Sequence, residues 1–112
     1  MKLSDYVIDF LVKQNIGHVF GLTGGAVVHL FDSVDKRDEI ENIFCHHEQG
    51  ASLAGASYAR ISNNLGVTIV TTGPGATNTI TGLAGAWQDS IPCIFIAGQT
   101  RIEHISQGKK IR

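Results

Sequence analysis

The sequence predicts an α/β fold in which a parallel sheet carries helices on both faces. Three observations predict it. Short apolar, β-branched runs alternate with segments of helical periodicity along the whole chain. Glycines or a Gly-Pro-Gly triplet stand at the junctions where strands give way to helices. With 112 residues, 43% of them apolar, the chain has the size of one small domain with a single core.

Each element follows from local pattern. Leu3, Val7, Ile8, Leu11 and Val12 recur at helical spacing, with Ser4 and Asp5 as a start signal and Gly17 as the stop. His18, Val19 and Phe20 form a short strand that runs into Gly21-Leu22-Thr23-Gly24-Gly25, and a second helix follows from Ala26 to Phe31. The polar stretch from Asp35 to Glu39 is a solvated connection to a strand at Ile40 to Cys45. A third helix runs from about Gln49 to Ile61 and is closed by Ser62, Asn63 and Asn64. The β-branched run from Gly66 to Thr72 reads as a buried strand. Gly73-Pro74-Gly75 breaks it, a small-residue helix spans Ala76 to Trp87, and Ile91 to Ala97 gives the last strand.

Composition removes several function classes. Nine basic against ten acidic residues leave a net charge of -1, which supplies no field for nucleic acid or an anionic membrane surface. The longest apolar stretches are too short to span a bilayer. Cys45 and Cys93 sit inside apolar runs, where a thiol packs as a small hydrophobe, and with no signal peptide pattern the chain fits a reduced, cytoplasmic setting.

In parallel sheets ligands bind beyond the carboxyl ends of the strands. Three turns leave strand ends here: residues 21 to 25, His46-His47-Glu48, and Gly73-Pro74-Gly75. Glu48 is the leading site candidate. A carboxylate between an apolar strand and a helix of small residues is partly desolvated, which favours its protonated, hydrogen-donating form, while a helix N-terminus favours the ionised form. Either way it is a candidate for acid/base work.

The glycine turn lacks the spacing of the dinucleotide fingerprint and the lysine of a P-loop, and glycines at such a turn are often there for backbone geometry. His46 and His47 are adjacent and have no second ligand pair at suitable spacing, so no metal ligand is assigned. His18, His29 and His104 are scattered, and Ser57 and Ser90 lack a nucleophile elbow. Pro74 rigidifies its turn while Gly73 and Gly75 let a flat ligand approach the backbone, and Asn78 either reaches that ligand or caps the turn.

Five motifs then occur in order: Phe20 to Ala26, His47 to Ala51, Gly55 to Arg60, Thr72 to Asn78, and Asp89 to Pro92 continuing to Gly98-Gln99. Together they resemble the N-terminal pyrimidine-binding domain of thiamine diphosphate enzymes, most nearly the acetolactate synthase large subunit family. The resemblance covers nearly the whole chain. It implies that Glu48 hydrogen-bonds the N1′ atom of the cofactor's aminopyrimidine and sets its tautomer, so that the cofactor itself, rather than Glu48, removes the critical thiazolium proton. It implies a pyrimidine-facing loop at Pro74 and Asn78 and a wall of the reaction site at Gly24 and Gly25. The reaction implied is decarboxylation of a 2-oxo acid and joining of the product to a second carbonyl compound.

The family commonly carries an aromatic residue and a proline where this chain has Leu22 and Thr23, so another thiamine diphosphate-dependent carboligase or decarboxylase is one alternative, and a non-catalytic fragment or binding module is the other. The Gly-Asp-Gly segment that holds Mg²⁺ and the diphosphate is not present, nor is a middle domain. Residues 1-112 are therefore expected to be the N-terminal portion of the pyrimidine-binding domain, incomplete at the C-terminus and inactive alone. Mg²⁺ would be bound by the domain this chain lacks, and FAD, bound by some relatives, is left open. In the family the site forms between subunits, so a homodimer or homotetramer is expected.

Overall fold

The computed structural model describes residues 1–105. Its elements, in order, are α1 (Leu3–Lys13), β1 (His18–Gly21), α2 (Val28–Asp35), β2 (Glu41–Phe44), α3 (Glu48–Ser62), β3 (Gly66–Val70), α4 (Pro74–Thr77), α5 (Ile80–Gln88), β4 (Cys93–Ala97) and a 3₁₀ turn at Ile102–His104. The four strands form one sheet in the order β2-β1-β3-β4, and every neighbouring pair is parallel. The chain leaves β1 outward to β2, crosses back to β3 and continues to β4. This order reverses direction between β1 and β3, and at such a switch point the loops after two central strands diverge and leave a crevice.

Side-chain alternation divides the sheet into two unlike faces. Val19, Val67 and Ile69 point to the α1 and α2 side, where they pack with Ile8, Leu11, Ile16, Val27, Phe31, Val34 and Ile40. The α1 stripe buries Ile8 and Leu11, with Asp5 in its first turn and Lys13 in its last, the polarity that suits the helix dipole. On the other face α3 buries Ala51, Ser52, Gly55, Ala56 and Ala59, and α5 buries Gly82 and Ala86. A Cβ on Gly55 would lie 2.7 Å from the Thr68 hydroxyl oxygen, and one on Gly66 would overlap the Gly55 carbonyl, so α3 rests on the sheet backbone itself. All five residues of β3 are buried, in keeping with a central strand covered on both faces.

Several boundaries move from the sequence expectation. The α1 helix is stopped by Asn15, at φ 58, rather than by Gly17, since asparagine tolerates the left-handed region. Thr71 and Thr72 lie outside the β3 ladder. The expected Ala76 to Trp87 helix is two helices, because the Thr79 N–H bonds the Ala76 carbonyl at 3.1 Å and its hydroxyl donates to the same carbonyl at 2.6 Å, which interrupts the α-helical ladder. Cys45 and Cys93 are both free and half-buried, and burial pushes the Cys93 thiol up from its ordinary value. Among the described residues no helix is long and apolar enough to cross a membrane.

Candidate functional site

Glu48 is the first residue of α3, and the residue before it sets that start. His47 is in extended conformation and its Nδ1 accepts a hydrogen bond from the Gln49 N–H at 3.0 Å, an N-cap made by a ring nitrogen. Just before it, the Cys45 N–H donates to the Gly21 carbonyl at 2.9 Å, which ties the end of β2 to the start of the glycine turn. Glu48 is thereby held at the carboxyl edge of the sheet, half-buried.

From the other side of the switch point comes Asn78, between α4 and α5. Its Nδ2 donates to Glu48 Oε2 at 3.2 Å. The turn that delivers it depends on two glycines for different reasons. Gly73, at φ +61, occupies the left-handed region in which an L side chain is strained, and so opens the turn. Gly75 is buried, and a Cβ there would lie 2.7 Å from Thr71 Cγ2 and 3.7 Å from Glu48 Oε1. Its missing side chain keeps the space beside that carboxylate oxygen open. Pro74, first residue of the short α4, is exposed on the rim and stiffens the turn.

The glycine turn after β1 reaches the same edge. Gly24 has no positive φ, so backbone freedom is not its reason for being glycine; a Cβ there would overlap Thr71, 2.7 Å from Oγ1 and 3.0 Å from Cγ2. Gly25 is exposed, and a Cβ there would meet nothing within 4 Å. A hollow of about 330 Å³ lies on the α2 side of this turn, lined by Thr23, Gly24, Gly25, Val28 and Phe31. Glu48 does not line it.

The sequence candidates therefore sort into two groups. Glu48, Asn78 and Gly24 belong to one contact network that runs through Gly75 and Thr71, whereas Pro74 and Gly25 stand on its exposed rim. Sequence reasoning missed His47 as a cap and Thr71 altogether. Neither carried a signal, since histidine is an uncommon cap and a threonine at a strand end is ordinary. The remaining histidines do not converge: His18 Nδ1 lies 3.3 Å from the Tyr58 hydroxyl, and His29, His46 and His104 are exposed. Among the described residues no three His, Cys, Asp or Glu side chains group as a metal site requires.

Residues 1–110 match the family model described as the thiamine pyrophosphate enzyme, N-terminal TPP binding domain. The chain belongs to that family. It is 46% identical over 96 residues to the acetolactate synthase large subunit of Buchnera aphidicola subsp. Schizaphis graminum, covering 86% of this chain and 17% of that protein. It is 46% identical over 99 residues to the acetolactate synthase isozyme 2 large subunit of Escherichia coli K12, covering 88% of this chain and 18% of that subunit. With the mitochondrial acetolactate synthase of Schizosaccharomyces pombe it shares 43% identity over 91 residues, 81% of this chain and 14% of that enzyme. This thiamine pyrophosphate-binding domain thus spans less than a fifth of the length of these relatives.

Proposed function

We propose that this chain is the pyrimidine-binding part of an acetolactate synthase-like enzyme that decarboxylates a 2-oxo acid and joins the product to a second carbonyl compound. The observation that carries the proposal is the Glu48 carboxylate at the carboxyl edge of the sheet, with Oε2 bonded to Asn78 and bare glycine beside Oε1, in a chain of the thiamine pyrophosphate enzyme family.

The residues fit one edge of a flat heteroaromatic ring. Glu48 would offer Oε1 to a ring nitrogen while the Asn78 amide, bonded to Oε2, fixes the carboxylate, and Gly73 and Gly75 would leave the ring room against the backbone. Pro74 keeps that turn from yielding, and Gly24 and Gly25 form the wall toward the reacting carbonyl. When bound, thiamine diphosphate supplies the nucleophilic carbon and the electron sink for decarboxylation. Glu48 holds a proton at the ring nitrogen and does not itself act on the substrate. Mg²⁺ and the diphosphate are held by a separate domain, and the complete site belongs to a homodimer or homotetramer in the cytoplasm, of which these residues supply the pyrimidine side. Leu22 and Thr23 alter the wall, so the alternative is another thiamine diphosphate-dependent carboligase or decarboxylase.

The test is a chimera in which this chain replaces its matching 99-residue segment in the E. coli isozyme 2 large subunit. Acetolactate formation is expected with the native segment and loss of it with Glu48→Gln, together with slow exchange of the thiazolium C2 proton. Exchange as fast in Glu48→Gln as in the native chimera removes Glu48 from the role. Calorimetry of the isolated chain with thiamine diphosphate and Mg²⁺ is expected to give no binding heat.

A further inference from the structure

We propose that Thr71 is a positioning residue for the Glu48 site, the spacer that sets where the Asn78 amide meets the carboxylate. Its purpose rests on the thiamine diphosphate reading; its geometry does not.

Thr71 follows the last residue of β3, at the point where the order of the sheet reverses. Its side chain has glycine on both sides. Toward the turn after β1 it meets Gly24, where an added Cβ would be 2.7 Å from Oγ1 and 3.0 Å from Cγ2; toward the turn after β3 it meets Gly75, where an added Cβ would be 2.7 Å from Cγ2. Both neighbours lack the atom that would collide, so one branched side chain fills a gap that two bare backbones leave. Such a filler works in both directions, since shrinking it lets the turns close or loosen and enlarging either glycine drives them apart.

Gly75 is the link from this spacer to the site. It lies in α4, three residues before Asn78, and its Cβ position is 3.7 Å from Glu48 Oε1. A shift of α4 against Thr71 moves the Asn78 Nδ2 along with it, and a donor at 3.2 Å has little room before the bond is lost. Among the described residues Thr71 Oγ1 enters no hydrogen bond, so shape rather than the hydroxyl does the positioning.

The experiment follows the Asn78 side-chain amide by NMR in the full chain, without thiamine diphosphate, so that failure of cofactor binding leaves the result intact. Thr71→Val keeps the branched shape and is expected to leave the Asn78 amide shifts and exchange unchanged. Thr71→Ala is expected to move those shifts and speed exchange several-fold while the rest of the spectrum stays native-like. Thr71→Ser, which keeps one branch atom, gives a smaller change of the same kind and serves if Thr71→Ala does not fold. Gly24→Ala combined with Thr71→Gly transfers bulk from one side of the gap to the other and restores part of the native signal lost in Gly24→Ala. Unmoved Asn78 signals in Thr71→Ala and Thr71→Ser overturn the proposal, as does a Thr71→Val as disruptive as Thr71→Ala.

Discussion

The two faces of the sheet are packed by opposite means. Under α1 and α2 lie large aliphatic side chains, Ile8, Leu11, Ile16, Val19, Val67 and Ile69, which separate helix from sheet by their own bulk. Under α3 and α5 lie Ala51, Ser52, Gly55, Ala56, Ala59, Gly82 and Ala86, which let helix backbone approach sheet backbone. The difference teaches what each face is for. A thick aliphatic layer supplies most of the apolar burial and tolerates small shifts, whereas a thin layer of small residues fixes position. Since α3 begins with Glu48, the thin face is what places the carboxylate.

This contrast predicts opposite weaknesses. Truncation should hurt the aliphatic face most: Ile69→Ala, at a fully buried site, should lower the free energy of unfolding by about 4 kcal/mol in a denaturant titration, through lost transfer energy and the cavity left behind. Enlargement should hurt the other face. Gly66→Ala should cost about 3 kcal/mol, because its new methyl group meets the carbonyl of Gly55, which is backbone and cannot rotate away. A Gly66→Ala protein as stable as the parent would break the comparison, since α3 would then have slack above the sheet. Glu48 would be positioned only by its own turn.

A smaller change isolates that turn. His47→Ala removes the cap on Gln49 and should cost about 1 kcal/mol, with faster hydrogen exchange at the Gln49 amide and little change along the rest of α3. If exchange rises along the whole helix instead, the packing of Ala51 and Gly55 holds α3 less firmly than the close approach implies.

Much of this was legible in the sequence. The alternation of elements, the parallel sheet, and Glu48 at a helix start all follow from pattern, because apolar periodicity and strand-end glycines are local signals. What was not legible depends on distance between loops that are far apart in sequence. Gly24 reads as a turn glycine, but it is glycine because Thr71, forty-seven positions on, occupies its Cβ space. The single helix expected from Ala76 to Trp87 is broken at Asn78 and Thr79 by a threonine hydroxyl bonding back to Ala76, a competition that helical periodicity does not register. The break matters to the site, because it is where Asn78 turns toward Glu48.

The smallest expected effect concerns a buried polar joint in the aliphatic face. Ser33 is 3% exposed, and its hydroxyl lies 2.7 Å from Asp5 Oδ1 and 2.8 Å from the His29 carbonyl, linking α2 to α1. That hydroxyl is the first cause holding the Asp5 carboxyl below its ordinary value of 3.8, with Lys2 and Lys36 adding to it against a partial desolvation. A carboxyl lowered in the folded state adds stability that is present above 3.8 and is lost as the pH falls through its lowered value. Ser33→Ala should therefore raise the Asp5 titration midpoint toward 3.8 and flatten the loss of stability in acid, while changing little near neutrality beyond the missing bond. Ser52, also buried on the other face, donates its hydroxyl to the Gln49 carbonyl of its own helix. Ser52→Ala should leave the acid limb as it was, so the pair of variants measured by unfolding from pH 2 to 5 separates a joint between helices from a hydroxyl that only fills space; an Asp5 midpoint that stays put in Ser33→Ala would assign its lowering to the two lysines instead.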